Sequence, residues 1–350
     1  MHVKRLLLHS WMTLMIRLLI PLLLSTSLVT AAIAAELKPD TVNNAELRKR
    51  PPPEEKMDPV AIKAQVLLDR AHFSPGEIDG KFGDNAQKAL AAFAAAKGLK
   101  TGSKLTPELW TALTAQDQEP AIVTYKITKQ DVKGPFLPKR PQHLEDMKDL
   151  PSLGYATPRE GLAEKFHMSE DLLAELNPGK SFDKVDDEIA VVNVIKDKEA
   201  DRHTDKKAKE KLPLIARLDV NKDEGTVQAY DKDNKLVAFF PATVGSEEKQ
   251  TPTGTFKTTS SDENPNYRYN PDYEFKGVKS SKPFDIKPGP NNPVGSYWIG
   301  LSIGNGYGIH GTAEPAKVGK SESHGCVRMT NWDVHFIGEN LKKHAEVDLH

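Results

Sequence analysis

Residues 309–328 read IHGTAEPAKVGKSESHGCVR and contain Cys326, the only cysteine of the 350-residue chain. Two histidines, His310 and His324, lie in the same stretch. A thiol is a nucleophile only as its thiolate, and its ordinary pKa of about 8.5 means that it needs a base at neutral pH. A histidine can accept the thiol proton and later return it to a leaving amine. The stretch therefore predicts a cysteine nucleophile with His310 as its base.

The residues around the cysteine indicate how such a site would be built. Two β-like segments, YGIHGT and GCVRM, flank a glycine-containing loop and can bring His310 and Cys326 together. A backbone carbonyl is a candidate for orienting the second imidazole nitrogen, because no carboxylate stands at a fixed spacing nearby. Gly325 lets backbone N–H groups approach a developing oxyanion. Arg328 would share the strand face of Cys326 and could bind a substrate carboxylate.

The motif HGT…SHGCVRM, together with TPTGTF (251–256) and PGPNNPVGSYW (288–298), resembles the YkuD-type catalytic domain of L,D-transpeptidases over about residues 214–348. The resemblance implies that Cys326 is the nucleophile and His310 the general base and acid. It also implies that the carbonyl of Gly311 orients His310. The oxyanion and pocket residues that it implies are Ser323, His324, Gly325 and Arg328.

The same resemblance implies chemistry on the tetrapeptide stems of peptidoglycan. Cys326 would form a thioester with the third stem residue and release the terminal D-alanine. The acyl acceptor stays open: an amine of another stem (a 3→3 crosslink), a wall-anchored lipoprotein, a free D-amino acid, or water in an L,D-carboxypeptidase. A diaminopimelate at the third position would suit Arg328. No cofactor or metal is required, and carbapenems are expected covalent inhibitors.

Three alternatives follow from the residues alone. His310, His324 and Cys326 could be three ligands of a catalytic zinc ion, although no fourth ligand stands at a suitable spacing. Cys326 could instead be an inert core thiol. The chain could also be a non-catalytic scaffold that binds peptidoglycan, against which the intact pair of His310 and Cys326 argues.

Composition and the first residues predict where the protein works. Lysine and arginine (48) balance aspartate and glutamate (49), so nucleic acid is not an expected partner, and the mean hydropathy of −0.52 excludes a polytopic membrane protein. Residues 1–35 run from basic residues through an apolar stretch to TAAIAA, as in a secretory signal. We expect cleavage after Ala34 or Ala35, and a mature protein bound to peptidoglycan in the periplasm or cell envelope.

The rest of the chain predicts a multidomain α+β protein. About residues 57–115 resemble the three-helix peptidoglycan-binding domain, and the match rests on the helix, glycine turn and second helix of 67–99. Asp84 or Asn85 would cap the second helix, and Thr106 the third. Two helices followed by EIAVVNV resemble a LysM repeat, although its first strand is poorly matched. The predicted segments are a 36–56 linker, a 57–115 peptidoglycan-binding-like domain, a 116–150 linker, a 151–195 LysM-like module, a 196–212 charged linker and a 213–350 catalytic domain.

The catalytic segment alternates apolar and polar residues between turns, which predicts a mostly β domain with a β-sandwich-like fold. The polar stretch from about 260 to 293 predicts long loops. TNWDVHFIGENLKKHA predicts a last helix capped by Thr330, with His335 and His344 facing solvent, and EVDLH predicts an edge strand.

Overall fold

The computed structural model describes residues 37–50, 52–100, 102, 104–194, 214–245, 250–273, 278–304, 306–321 and 325–350. The predicted signal segment, the charged linker and two predicted site residues, Ser323 and His324, lie outside the described residues. None of the helices among the described residues is long and apolar enough to cross a membrane.

Eight α-helices and thirteen strands are found in these residues. The helices are α1 Pro39–Asn43, α2 Pro59–Arg70, α3 Asp84–Ala96, α4 Pro107–Gln116, α5 Leu144–Met147, α6 Pro158–Lys165, α7 Glu170–Leu176 and α8 Asn331–Asn340. The strands are β1 Ile122–Lys126, β2 Glu188–Val192, β3 Ile215–Asn221, β4 Thr226–Tyr230, β5 Leu236–Pro241, β6 Thr243–Val244, β7 Gly254–Glu263, β8 Tyr267–Tyr269, β9 Phe284–Ile286, β10 Tyr297–Leu301, β11 Gly308–His310, β12 Val327–Arg328 and β13 Leu341–Leu349.

The catalytic segment folds into one nine-stranded sheet with the strand order β5-β4-β3-β13-β7-β10-β11-β12-β6. Its two edge strands, β5 and β6, are separated in the chain only by Ala242. A sheet whose opposite edges are joined by one residue has to curl until those edges nearly meet. The predicted mostly β domain is therefore confirmed, but it is one nearly closed sheet instead of a sandwich of two sheets.

The long strand β7 links the two halves of this sheet. Its first residues pair with β13, and its later residues pair with β10. Apolar side chains of both halves face one core, to which α8 adds Val334 and Ile337. Burying each such side chain stabilises the fold by roughly 1.5–3 kcal/mol, which holds the short strands of the site in place.

The end of the chain differs from its sequence prediction. β13 lies between β3 and β7 instead of at an edge, because Val347 and Leu349 are buried and its backbone pairs on both sides. His344 belongs to this strand and not to the helix. His335 is only partly exposed: its Nε2 lies 3.0 Å from Oγ of Ser296, and its ring contacts Tyr297 edge-on.

The three helices α2, α3 and α4 form an apolar cluster upstream of the sheet. Asp58 caps α2 and Thr106 caps α4 through their side chains. Helix α3 begins at Asp84 after Gly83, without a side-chain cap, so the predicted capping by Asp84 or Asn85 is wrong. The segment before α3 covers the edge strand β5: Phe239 N–H donates to His72 O (2.9 Å), and Ser74 N–H donates to Phe239 O (2.8 Å).

The second upstream group consists of β1, α6, α7 and β2; α5 lies between β1 and α6 in the chain but packs against β9. β1 pairs antiparallel with β2, and Asn177 after α7 hydrogen-bonds through its side chain to Ala190 of β2. The strand that pairs with β2 lies at 122–126, within the stretch predicted as a linker. Strand pairing between distant segments fixes it there, which local sequence does not reveal.

The described part of the predicted 36–56 linker contains a helix and tertiary contacts. Within 36–56, α1 buries Val42, and Asn43 hydrogen-bonds to the backbone of Ile122. The apolar residues responsible are widely spaced among charged ones, which hides them from a pattern search. Leu37–His350 form one compact unit.

Candidate active site

His310 ends strand β11 in the interior of the sheet. Strand β10 flanks β11 on one side and β12 on the other. The imidazole is only 5 % exposed, and its Nδ1 lies 2.6 Å from the carbonyl oxygen of Gly311. A carbonyl only accepts hydrogen bonds, so Nδ1 carries the proton and Nε2 keeps its lone pair. This is the tautomer that a general base acting through Nε2 requires.

The surroundings also keep His310 neutral. Burial lowers the pKa of His310 most, and the nearby cation of Arg328 lowers it further. The hydrogen bond to Gly311 opposes both effects only in part, so the pKa falls to about 4. At neutral pH the side chain is ready to accept a proton.

Cys326 immediately precedes β12. β11 and β12 run parallel with His310 opposite Arg328, so Cys326, two residues before Arg328, belongs to the same face of the sheet. The partly buried thiol lies 3.5 Å from the carbonyl oxygen of Gly306.

The backbone just before Cys326 is shaped by one glycine and one threonine. Gly325 has φ of +92°, a backbone conformation that side-chain-bearing residues rarely adopt. Its carbonyl accepts a 2.8 Å hydrogen bond from Oγ1 of buried Thr251. Thr251 begins the quoted TPTGTF motif, but its contact with Gly325 spans 74 residues and is set by tertiary structure.

A cleft of about 1120 Å³ opens over these residues. His310, Cys326 and Arg328 line it together. Trp298 lines it as well, and its ring lies nearly parallel to that of His310 with the centroids 5.8 Å apart. Trp298 belongs to the motif PGPNNPVGSYW, but the sequence predicted no role for it in the site. Its register opposite His310 in β10 and β11 explains the contact.

The outer part of the cleft is formed by two regions for which the sequence predicted no part in the site. One is the stretch 142–144, and the other is the 262–270 stretch, where β7 ends and β8 follows. The hairpin of β8 and β9 packs against Met147 and Leu153 through Ile286. Residues more than a hundred positions apart thus build one side of the cleft.

In the part of the chain that the structure describes, no group of three or more His, Cys, Asp or Glu side chains is placed to hold a metal ion. His324, the third ligand of the zinc alternative, lies outside the described residues, as does Ser323. Their oxyanion and pocket roles stay predictions.

Comparison with known proteins identifies this domain. Residues 215–349 match the YkuD family, the L,D-transpeptidase catalytic domain. The sequence prediction of a YkuD-type catalytic domain is confirmed. The peptidoglycan-binding and LysM-like resemblances upstream lie outside the matched residues and stay predictions.

Curated relatives of the YkuD-type domain carry the same family name. The chain is 34% identical over 118 residues to YkuD of Bacillus licheniformis, a predicted L,D-transpeptidase, which covers 34% of this chain and 55% of that protein. It is 31% identical over 133 residues to the probable L,D-transpeptidase ErfK/SrfK of Escherichia coli, over 37% of this chain and 42% of that protein. The chain thus spans about half the length of these relatives.

Solved structures give a more distant likeness. An L,D-transpeptidase from Mycobacterium smegmatis aligns over 39% of this chain and 59% of its own, with a TM-score of 0.32 and 14% identity. L,D-transpeptidase 3 from Mycobacterium tuberculosis, in complex with a faropenem-derived adduct, aligns over 39% of this chain and 60% of its own, with a TM-score of 0.32 and 15% identity.

Proposed function

We propose that the protein is an L,D-transpeptidase that acts on peptidoglycan stem peptides through a thioester on Cys326. One observation carries the proposal: His310, neutral and with Nδ1 bonded to Gly311, lines the same cleft as Cys326 from the neighbouring strand. The match of residues 215–349 to the YkuD family supports the same activity.

In the first half of the reaction, Nε2 of His310 accepts the proton of the Cys326 thiol. The sulfur attacks the carbonyl carbon of the third stem residue, and the bond from that carbon to the nitrogen of the terminal D-alanine breaks. The proton held by His310 passes to that nitrogen, so D-alanine leaves with a neutral amine and His310 becomes neutral again. Backbone N–H groups of the 324–326 stretch, beside Ser323, are the proposed donors to the oxyanion.

In the second half, an acceptor amine attacks the thioester. His310 takes a proton from the attacking nitrogen, the carbon–sulfur bond breaks, and the proton returns to the sulfur of Cys326. The acceptor is an amine of another stem, of a wall-anchored lipoprotein or of a free D-amino acid. Water as acceptor would make the enzyme an L,D-carboxypeptidase. The thioester stores the acyl group until the acceptor arrives.

Arg328 is the proposed partner for a carboxylate of the donor stem, such as that of diaminopimelate. It lies opposite His310 in the register of β11 and β12 and lines the cleft with Cys326. A guanidinium can hold a carboxylate through two parallel hydrogen bonds, which would orient the stem relative to the sulfur.

The two upstream groups are proposed to bind peptidoglycan in the periplasm or cell envelope. The α2–α4 cluster supports a peptidoglycan-binding-like domain. The pairing of β1 with β2 and the two helices α6 and α7 before β2 support a LysM-like module, in which α5 stands as an additional helix between β1 and α6.

The test is to incubate the purified full chain with tetrapeptide muropeptides and to analyse the products by mass. Release of D-alanine is expected from wild type, and the second product identifies the acceptor. Cys326→Ala should abolish release while still sedimenting with purified sacculi, and Ser260→Ala, exposed and outside the cleft, is the matched control. D-Alanine release by Cys326→Ala would refute the thioester mechanism. A carbapenem should add its mass to wild type and not to Cys326→Ala.

A further inference from the structure

The first turn of α8 joins the catalytic domain to the upstream half of the chain. Three successive residues each contact a different upstream side chain. Asn331 donates from Nδ2 to Oε1 of Glu164 in α6 at 2.5 Å. The ring of Trp332 stacks on that of His167 with the centroids 5.0 Å apart, and Oδ2 of Asp333 accepts from Oγ of Ser74 at 3.0 Å.

Asn331 is the only one of these three that also reaches the backbone beside His310. Its Oδ1 accepts from the N–H of Thr312 at 3.1 Å and from the N–H of Ser296 at 3.0 Å. The approach is close enough that a Cβ on Gly311 would lie 2.1 Å from this oxygen. Glycine is therefore required at 311 for Asn331 to occupy its position.

The orientation of the Asn331 amide is fixed by its four partners. Its oxygen faces two N–H donors, while its nitrogen faces two acceptors, Oε1 of Glu164 and the carbonyl oxygen of Pro290 at 3.2 Å. A flipped amide would set N–H groups against N–H groups and oxygen against oxygen. Because Asn331 is only 3% exposed, water could not compensate for these mismatches.

We propose that Glu164 of the upstream helical module is a positioning residue for the catalytic histidine. It holds the Asn331 amide, which holds the Gly311–Thr312 backbone, whose carbonyl fixes Nδ1 of His310. The upstream module then contributes to the chemistry itself, besides any binding of glycan. The expected effect on kcat rests on the proposed function, whereas the expected effect on the orientation of His310 does not.

Glu164 serves as a hydrogen-bond acceptor in a buried setting. Burial raises its pKa to about 8, with Glu160 and Glu77 adding to the rise, while hydrogen bonds from Asn331 and Tyr155 oppose it. The raised pKa favours the uncharged form, which still presents a carbonyl oxygen to Asn331. Glutamine has the same shape and offers the same oxygen, whereas methionine has a similar length and offers none.

The experiment compares the full-length wild type with Glu164→Gln, Glu164→Met and Glu164→Ala. Glu175→Ala, an exposed carboxylate of the same module, is the matched control. Steady-state kinetics on a tetrapeptide stem give kcat and KM, and ¹⁵N NMR of histidine-labelled protein reports which nitrogen of His310 carries the proton. Circular dichroism identifies the variants that fold.

Glu164→Met and Glu164→Ala lack the oxygen that accepts the hydrogen bond of Asn331. These variants should lower kcat roughly tenfold or more with little change in KM, because a small misplacement of His310 costs that much. The Nδ1–H signature of His310 should weaken in the same variants. Glu164→Gln should keep kcat and that signature near wild type, as should Glu175→Ala.

Two results would overturn the proposal. The first is that Glu164→Met or Glu164→Ala keeps the kcat of wild type and the Nδ1–H tautomer of His310. The second is that Glu164→Gln loses kcat roughly tenfold. The second result remains decisive even if the other variants do not fold. If wild type itself fails to process the stem, the proposed function fails, and the NMR comparison still decides whether Glu164 positions His310.

Discussion

Replacing Asp333 by asparagine should stabilise the protein increasingly as the pH rises. Asp333 is 3% exposed, between its own helix cap Thr330 and Ser74 of the upstream half. Burial raises its pKa from the ordinary 3.8 to about 7; the charge of Asp69 adds to this, and hydrogen bonds from Thr330 and Ser74 oppose it. The folded protein therefore resists the ionisation that the unfolded chain undergoes freely.

The sign of the effect follows from proton binding. Between about pH 4 and pH 7, the folded protein holds the Asp333 proton and the unfolded chain has released it, so stability falls as the pH rises through this window and levels off above it. At about 1.4 kcal/mol per pKa unit, the cost is about 4 kcal/mol at pH 8 and about 1.6 kcal/mol at pH 5. Asparagine does not titrate and avoids this cost.

Urea unfolding of wild type and Asp333→Asn at pH 5 and pH 8 measures the difference. The gain in free energy of unfolding from the substitution should be about 3 kcal/mol larger at pH 8 than at pH 5. Contributions that do not change with pH, such as altered hydrogen bonding to Ser74, cancel in this comparison, and exposed Asp223→Asn controls for the change of charge. An equal gain at the two pH values would show that Asp333 is not held as a neutral group.

Two further outcomes are expected at the site itself. Because burial and Arg328 lower the pKa of His310 to about 4, His310 stays a competent base in mildly acidic solution. The value of kcat/KM should therefore fall to half its maximum near pH 4. Half-maximal activity near pH 6.5 would contradict the buried environment of His310. Thr251→Val should cost about 1–3 kcal/mol of unfolding free energy, because the carbonyl of Gly325 loses its partner, and it should slow modification of Cys326 by iodoacetamide. A thiol modified at the wild-type rate would mean that Thr251 does not hold the approach to Cys326.

The parts of the candidate site that local chemistry encodes could be predicted from the sequence. Cys326, His310 and Arg328 stand in a short motif whose spacing fits two strands, and the structure brings these side chains to one cleft. Helix starts with a proline behind a capping residue, such as Thr106, were equally readable, since both signals lie within a few residues of each other.

The rest depended on contacts that no local pattern encodes. Strand order is chosen by burial across the whole sheet, so β13 could be recognised as a strand but not as a central one. Trp298 acquires its role from the register of β10 against β11. Asn331 looked like an ordinary first helical residue, and its link to Glu164 spans 167 positions.

The central position of β13 sets a condition on how the protein comes to be folded. β13 bridges β3 and β7, so without it the β5–β4–β3 strands have no hydrogen-bonded connection to the β7–β10–β11–β12–β6 strands. Among the described strands β13 is the last in chain order, and pairing over such sequence distances is slow to form. The two groups of strands therefore become one hydrogen-bonded sheet only when β13 pairs with both β3 and β7.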